Sequence, residues 1–308
     1  MEAKRSAIRI AIVIPTLNER AAVGKVLDGV KDVMAGYEYE ILVVDGHSID
    51  GTYEIAKEKG AEVIYQQGKG YGDALRTGFF QARKRLDAGV IVMMDADLSY
   101  DPRDIPDLVK PIFEDEADLV VGNRFVGMQK GTMSLVNKVG NRVLSLVAKL
   151  ALRLDIYDTQ SGMRVFRSEL LDSMDLVTGG MPFAIEMLAE ALSADARIHE
   201  VPVSYRPRVG KTKLSPIKDG GRILGITLRL MFDIQPLLFF GGIGTVLGLV
   251  GLILMYIAFP NMVGLVFPFL LMIGAIPFFI LGLVIRTIKR SRRSRRTARL
   301  NVKKIADL

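Results

Sequence analysis

The sequence predicts an α/β fold: a mostly parallel sheet with helices on both faces, followed by interfacial helices and a two-helix transmembrane hairpin. Three observations support this prediction. Apolar runs alternate with helical segments through the first hundred residues, which is typical of a parallel sheet covered on both faces. The run Val90–Met94 is apolar throughout, as in a strand buried on both faces. From Leu237 to Ile285, 49 consecutive residues carry no Asp, Glu, Lys or Arg.

The elements follow in order along the chain. Strands are predicted at residues 8–15, 39–45, 61–66 and 89–97, and helices at 18–34, 48–60 and 70–86. Further on, a strand is predicted at 117–125, a long helix at 136–154 and a late edge strand at 196–208. Residues 215–236 mix apolar and basic positions at helical spacing, which predicts helices lying on a membrane surface.

The apolar stretch contains two candidate membrane spans, residues 237–259 and 263–285. Each reaches the length of about 20 apolar residues that a bilayer core requires. A buried hairpin of a soluble protein is the alternative, and the length and uniformity of both segments argue against it. Pro268 and Pro277 lie in the second span, and membrane helices tolerate such kinks.

Charge is unevenly distributed along the chain. The net charge is +7, but residues 286–308 contain ten Lys or Arg and one Asp, so the remainder is slightly acidic at −2. A basic tail directly after a span favours a cytoplasmic anchor beside anionic lipids over a nucleic-acid partner. We therefore expect a multi-pass protein of the cell membrane with residues 1–214 and both termini in the cytoplasm. The chain has no Cys, which fits a reducing compartment.

Polar residues follow three of the predicted strands. "IPTLNE" follows the first strand, "VVDGHSIDGT" ends the second, and "DADLS", which contains Asp95 and Asp97, ends the fourth. Ligands of open parallel sheets bind at the carboxyl ends of strands. One pair of acids is a weak signal, since acids also cap helices, but three such ends together indicate a site. Two carboxylates there can hold Mg²⁺ or Mn²⁺ against a diphosphate.

These motifs carry a family resemblance. In order and spacing, "IPTLNE", "VVDGHSIDGT", "GKGYGDALRTGF", "DADLSYDP" and "GNRF" resemble inverting glycosyltransferases with the GT-A fold. "DTQSGMRVFR" and "YRPRVGKTKL" narrow the resemblance to dolichyl-phosphate mannose and glucose synthases and related polyprenyl-phosphate glycosyltransferases. The chain looks most similar to archaeal members of N-glycan assembly. The resemblance covers about residues 8–214, which we expect to form the glycosyltransferase domain.

The resemblance implies a nucleotide site. Pro15, Leu17 and Glu19 would border the nucleotide, with Leu17 where many relatives have tyrosine. Val43 and Asp45 end the second strand, and Asp45 would hydrogen-bond the base. A carboxylate can accept from uracil or guanine alike, so the base stays open. A turn-capping role for Asp45 is the alternative.

The same resemblance implies a metal site. Asp95 would face the ribose and the metal, Ala96 would lie against the sugar nucleotide, and Asp97 would be the principal metal ligand. Ser99 stands where several relatives have Gln as a further ligand, so either its hydroxyl or a water would complete the shell. The cofactor would be Mg²⁺ or Mn²⁺.

Several cations are candidates for phosphate contacts. The expected catalytic residues are Asp97, Arg124, Arg208 and Lys213. Arg124 would reach a phosphate unless it forms an ion pair. Arg208 and Lys213 belong to the cationic loop, residues 206–213. That loop would close over the diphosphate, or else face the membrane. Lys69 of the glycine-rich "GKGYG" could also neutralise phosphate.

Three further side chains have open or structural roles. Glu186 would line the sugar pocket or lie on a helix surface, and His47 and His199 are expected to be structural.

The implied reaction moves a hexose from GDP-mannose, UDP-glucose or UDP-N-acetylglucosamine to a polyprenyl (dolichyl) phosphate, with inversion. Such an acceptor needs no general base, because its second pKa is about 6. A nucleotidyltransferase would carry a glycine-rich, basic N-terminal loop, which is absent, and polysaccharide synthases use a tryptophan motif, whereas this chain has no Trp. A transferase with another lipid acceptor and a non-catalytic membrane scaffold remain as alternatives.

Overall fold

The computed structural model describes residues 8–129, 131–210, 216–258 and 263–306. Within these ranges the strands are β1 (Ile10–Thr16), β2 (Tyr39–Asp45), β3 (Glu62–Tyr65), β4 (Val90–Met93), β5 (Leu119–Met128), β6 (Arg164–Arg167) and β7 (Ile198–Tyr205). The α-helices are α1 (Val23–Met34), α2 (Thr52–Glu58), α3 (Tyr71–Lys84), α4 (Ile105–Phe113), α5 (Leu135–Leu152), α6 (Phe183–Ser193), α7 (Pro216–Ile234), α8 (Pro236–Ala258) and α9 (Val266–Ala306).

The strands form one sheet in the order β3-β2-β1-β4-β6-β5-β7. The predicted α/β fold with a mostly parallel sheet is confirmed: β1 pairs in parallel with β2 and β4, β2 with β3, and β5 with β7. The exception is β6, which runs antiparallel between β4 and β5. As expected, β7 lies at an edge of the sheet.

The core lies between the sheet and its helices. Helix α1 turns Val23, Val26, Leu27, Val30 and Met34 inward at helical spacing. Helix α3 packs so closely on the sheet that a Cβ at Gly78 would lie 2.4 Å from a methyl carbon of Val13. No side chain larger than hydrogen fits there, so Gly78 sets the depth at which α3 and its glycine-rich loop rest on the sheet.

The chain divides into two compact units, residues 1–149 with 153–226 and residues 150–152 with 227–308. The second unit contains the helical segments Pro236–Ala258 and Val266–Thr287, with mean hydropathies of 2.4 and 2.5, both long and apolar enough to cross a membrane. Between them, Phe279 of α9 lies against Gly241 and Gly244 of α8. Residues 216–234, expected as several helices, form the single helix α7.

Candidate functional site

The carboxyl ends of β1, β2 and β4 lie side by side at one edge of the sheet. The register pairs Thr16 with Asp45 and Val13 with Met93, and parallel strands end at a common edge. The three polar segments found in the sequence therefore meet at one place.

The loops that follow β1 and β2 are held together by hydrogen bonds. The Asn18 amide N–H donates to Ser48 Oγ (2.8 Å), and Asn18 Oδ1 accepts from the Ile49 amide (2.9 Å). The Glu19 amide donates to Thr52 Oγ1 (2.8 Å). Asn18 has a φ of 50°, which Asn tolerates better than most residues. Glu19 is thus presented by a rigid turn.

Asp45 is fully buried and caps this turn. Its Oδ1 accepts from Thr16 Oγ1 (3.0 Å) and Ser48 Oγ (2.6 Å), and its Oδ2 accepts from the Ser48 amide (2.8 Å). The alternative role of Asp45, turn capping, is therefore what the structure contains, and contact with a base stays a prediction. Nearby, Leu17 is 41% exposed, Pro15 is partly exposed and Val43 is buried.

Asp97 lies under the cationic loop. Arg208 Nη1 is 3.5 Å from Asp97 Oδ2, and Arg208 Nη2 donates to Glu19 Oε1 (3.1 Å). The Val209 amide donates to the backbone carbonyl of Asp97 (2.9 Å). Three predicted site residues from distant parts of the chain are thus brought together. Lys213, the fourth predicted catalytic residue, lies outside the described residues.

Ser99 is buried and turned toward Asp97. Both its hydroxyl (2.5 Å) and its amide (3.0 Å) donate to Asp97 Oδ1. Its oxygen therefore orients the carboxylate in this structure, and direct ligation of a metal by Ser99 stays a prediction.

Asp95 is held on two sides. The Tyr71 hydroxyl donates to its Oδ1 (2.9 Å), and its Oδ2 lies against Gly162, where a Cβ would come within 2.5 Å. Burial and the charge of Asp97 raise the pKa of Asp95 to about 7, against the opposing effects of Tyr71, Arg124 and Arg208. Ala96, between the two acids, is buried.

Asp95 and Asp97 fit a hard divalent cation. They offer carboxylate oxygens, the donors that Mg²⁺ and Mn²⁺ prefer, and their mutual repulsion would be offset by a cation between them. No group of three or more His, Cys, Asp or Glu side chains suited to a metal is assembled in the described part of the chain. A cation here would therefore take its other ligands from substrate phosphate and water.

Arg124 forms a buried ion pair, not the surface pair considered from the sequence. Its Nε and Nη2 donate to the two carboxylate oxygens of Asp158 (2.7 and 2.8 Å), and its amide also donates to Asp158 (3.0 Å). Burial opposes the charge of Arg124, but Asp158 outweighs it and holds the pKa of Arg124 above its ordinary value. The guanidinium also lies 5.2 Å from the ring centroid of Tyr205. A phosphate contact by Arg124 stays a prediction.

Arg164 is a buried cation that the sequence analysis did not single out. Its guanidinium donates to the backbone carbonyls of Thr159, Ser161 and Ala184 (2.9, 3.1 and 2.7 Å). Burial lowers its pKa to about 10. It ties the "DTQSG" segment to the start of α6, which fixes Gly162 beside Asp95. Arg164 lies in the segment "SGMRVFR", where no strand was predicted although β6 forms there.

The glycine-rich loop contacts a segment, residues 177–179, that Glu186 supports. Lys69 is exposed, while the Gly72 amide donates to the Gly179 carbonyl (3.1 Å). Glu186 accepts from the Val177 and Thr178 amides (3.0 to 3.2 Å). Glu186 therefore supports a loop, and a sugar contact stays a prediction.

The structural role expected of the two histidines stays a prediction. His47 stacks on Tyr65 with ring centroids 4.9 Å apart, and His199 is exposed on β7.

A cavity of about 360 Å³ opens beside Glu19. Its lining comes from three segments: Asn18, Glu19, Arg20 and Ala21 after β1, Asp50 and Ile55 near α2, and Val209 and Gly210 of the cationic loop. The space therefore lies between the rigid turn and the cationic loop.

Comparison with known proteins gives a consistent result. Residues 11–174 match the profile described as "Glycosyl transferase family 2". The chain is 32% identical to "Glycosyltransferase AglJ" of Haloferax volcanii over 91% of this chain and 96% of that protein. It is 35% identical to "Dolichyl-phosphate hexose transferase" of the same organism, over 70% of this chain and 90% of that protein.

Among solved structures, glucosyl-3-phosphoglycerate synthase from Mycobacterium tuberculosis, in complex with Mn²⁺, UDP and its product, shares the fold. The TM-score is 0.62 at 23% identity, covering 75% of this chain and 82% of that one. At this identity the match concerns the fold alone, and it confirms the predicted GT-A fold.

Proposed function

This chain belongs to glycosyl transferase family 2, and from that premise we propose that it transfers a hexose from a nucleotide-sugar to a polyprenyl (dolichyl) phosphate with inversion. One observation carries the proposal: Arg208, a cation suited to phosphate, lies 3.5 Å from Asp97, a carboxylate suited to a metal, at the strand ends. The name of the relative "Dolichyl-phosphate hexose transferase" supports a lipid-phosphate acceptor. The product would be a lipid-linked sugar for glycan assembly.

The site residues would supply positive charge to the leaving diphosphate. Asp95 and Asp97 would hold Mg²⁺ or Mn²⁺, which supplies positive charge to the leaving diphosphate. Arg208 would add a second cation there. Its Nε is buried with no hydrogen-bond partner among the described residues, so one donor of the guanidinium is unsatisfied in this conformation. The acceptor needs no general base from the protein, since a phosphate monoester is largely dianionic near pH 7.

The proposed bilayer association has support outside the two apolar helices. Helix α5 exposes one apolar stripe, formed by Leu135, Val139, Val143, Leu146 and Leu150. It carries Lys138, Arg142 and Lys149 and no acid. An amphipathic helix with basic residues suits a surface of anionic lipid, where the acceptor presents its phosphate.

The test is a transfer assay on membranes that contain the chain. GDP-mannose, UDP-glucose and UDP-N-acetylglucosamine, each labelled in the sugar, are supplied with dolichyl phosphate and Mn²⁺. We expect one label to enter an organic-soluble lipid phosphate. Label on another lipid would favour a transferase with a different lipid acceptor. If no donor is either transferred or hydrolysed, the result would favour a non-catalytic membrane scaffold.

Arg208→Ala is expected to lower transfer by roughly tenfold to a hundredfold, because a hydrogen bond to a charged group contributes about 1.5–3 kcal/mol. The measurement is kcat/KM for the donor at saturating Mn²⁺. Arg9→Ala is a matched control, since Arg9 pairs with Glu38 at the surface, and it should retain most activity. Unchanged transfer in Arg208→Ala would indicate that the cationic loop is a membrane patch.

Both termini are expected on the cytoplasmic side of the membrane. The chain has no Cys, so single cysteines report topology without further changes. Ser294→Cys in the tail and Ser173→Cys in the catalytic unit should react with an impermeant maleimide only after permeabilisation. Asn261→Cys, between the spans, should react in intact cells. Labelling of Ser294→Cys in intact cells would contradict the topology.

A further inference from the structure

Tyr71 joins the glycine-rich loop to the acidic pair. It is the first residue of α3, and its hydroxyl donates to Asp95 Oδ1 at 2.9 Å. Tyr71 was not among the predicted site residues, because Lys69 was the expected phosphate contact in "GKGYG". The contact spans 24 residues of chain, from the start of α3 to the segment after β4.

The backbone on both sides of Tyr71 is closely confined. Gly70 has a φ of 92°, which favours glycine, and a Cβ there would lie 2.5 Å from the Gly179 carbonyl oxygen. A Cβ at Gly72 would lie 2.3 Å from the Thr178 carbonyl oxygen. The segment that these two glycines face, residues 178–179, is held by Glu186, which accepts hydrogen bonds from the Thr178 amide. The backbone that carries the Tyr71 ring is therefore fixed in position by close packing on both sides.

Gly162 confines the opposite side of the same carboxylate. A Cβ at this position would lie 2.5 Å from Asp95 Oδ2, which is closer than real Cβ atoms approach. Gly162 is in turn fixed, because its amide donates to the Tyr100 hydroxyl at 2.6 Å. The Asp95 carboxylate thus has a donor on one oxygen and backbone against the other.

We propose that Tyr71 is a positioning residue that orients Asp95 for a divalent cation, with Gly162 as the opposing wall. This inference rests on the proposed function, since it requires a cation at Asp95 and Asp97. Asp95 is repelled by the neighbouring Asp97, and a free carboxylate would rotate away from it. The Tyr71 hydrogen bond opposes that rotation, so the ligand geometry exists before a cation binds, and binding need not order the side chain.

Tyr71→Phe tests the proposal, because it removes the hydroxyl and keeps the ring. Purified full-length chain is titrated with Mn²⁺ in the presence of UDP, and separately of GDP, and free Mn²⁺ is followed by electron paramagnetic resonance. Loss of an outer hydrogen-bond partner of a metal ligand typically weakens metal affinity about 10–100-fold, and we expect a loss in that range. The KM for Mn²⁺ should rise in parallel while kcat at saturating Mn²⁺ stays within about twofold of wild type.

Gly162→Ala provides an independent variant, because the added methyl group must displace the Asp95 carboxylate from its place. It should also weaken Mn²⁺ binding by at least about tenfold. Tyr39→Phe, at the opposite end of β2 from Asp45, and Gly140→Ala, which has open space around its Cβ, are matched controls. Both should bind Mn²⁺ as wild type does.

The outcomes separate this inference from the proposed function. If wild type binds Mn²⁺ and Tyr71→Phe binds it equally well, the positioning role is wrong while the proposed function stands. If wild type binds no Mn²⁺ with either nucleotide, the metal role of the acidic pair and the positioning role are both wrong, and the transfer assay on membranes decides the proposed function separately. A general loss of structure would instead lower kcat at saturating Mn²⁺ together with the thermal midpoint, and that result would also overturn the positioning role.

Discussion

Asp97→Asn is expected to lower sugar transfer by more than about a hundredfold while the protein still folds. Mutating even an outer partner of a metal ligand costs about 10–100-fold, and Asp97 would be a ligand itself. The amide would keep an oxygen for the Ser99 amide and hydroxyl, so the loop should remain in place. It would, however, lose the charge that faces Arg208 at 3.5 Å. The measurement is the initial rate of transfer at saturating donor, dolichyl phosphate and Mn²⁺.

The matched control is Asp107→Asn, the same chemical change at an exposed position on α4. It should transfer at the wild-type rate. Circular dichroism and the thermal midpoint show whether Asp97→Asn has folded. Full activity of wild type in excess chelator, or near-normal activity of Asp97→Asn, would exclude a metal role for the acidic pair.

Asp158→Asn is expected to lower the free energy of unfolding by about 3–5 kcal/mol, the usual result of removing one partner of a buried ion pair. Asp158 is fully buried and Arg124 nearly so, and their two side-chain hydrogen bonds are 2.7 and 2.8 Å long. The variant would leave a guanidinium in a site of low polarity without its counter-charge. Urea denaturation of the purified chain, followed by circular dichroism, measures the change.

A double variant separates the structural role of this pair from catalysis. Arg124→Met combined with Asp158→Asn removes the unpaired cation, and we expect it to be more stable than Asp158→Asn alone. If Arg124 also contacts a phosphate, the double variant regains stability without activity. Asp172→Asn, which breaks an exposed pair with Arg83, should cost no more than about 1 kcal/mol. If Asp172→Asn lowered the free energy of unfolding as much as Asp158→Asn does, the special contribution of the buried Arg124–Asp158 pair to stability would be contradicted.

Much of the fold could be predicted because its signals are local. Apolar runs such as Val90–Met94 and helical spacing such as that of α1 depend on neighbours in the chain. No range was predicted for three elements, α4, β6 and α6. In α4, Pro106 and Pro111 interrupt the helical pattern, although the structure accommodates Pro106 in the first turn, where proline is tolerated. Strand β6 is four residues long and begins and ends with an arginine, Arg164 and Arg167. Its sequence therefore lacks the apolar run expected of a strand inside the sheet.

For the site, the sequence by itself determined which chemical groups gather at the strand ends. Three parallel strands bring Glu19, Asp45 and Asp97 to one edge, because a parallel strand carries its terminal residues to a fixed side of the sheet. The cationic character of residues 206–213 was equally evident from composition. The resemblance to glycosyltransferases was carried by the same short motifs, and the match to glycosyl transferase family 2 confirms it.

Only the tertiary structure decided how these groups are paired. Arg124 was expected at a phosphate unless it formed an ion pair, and the structure pairs its guanidinium with Asp158, 34 residues away. Ser99 turns to Asp97, Asp45 caps its own loop, and Tyr71 and Gly162 enclose Asp95 from different segments. A hydrogen bond is set by distances of a few tenths of an ångström, which depend on the packing of the whole domain. Local patterns in a chain specify its elements and their ends, whereas the partner of each side chain depends on segments that meet only after folding.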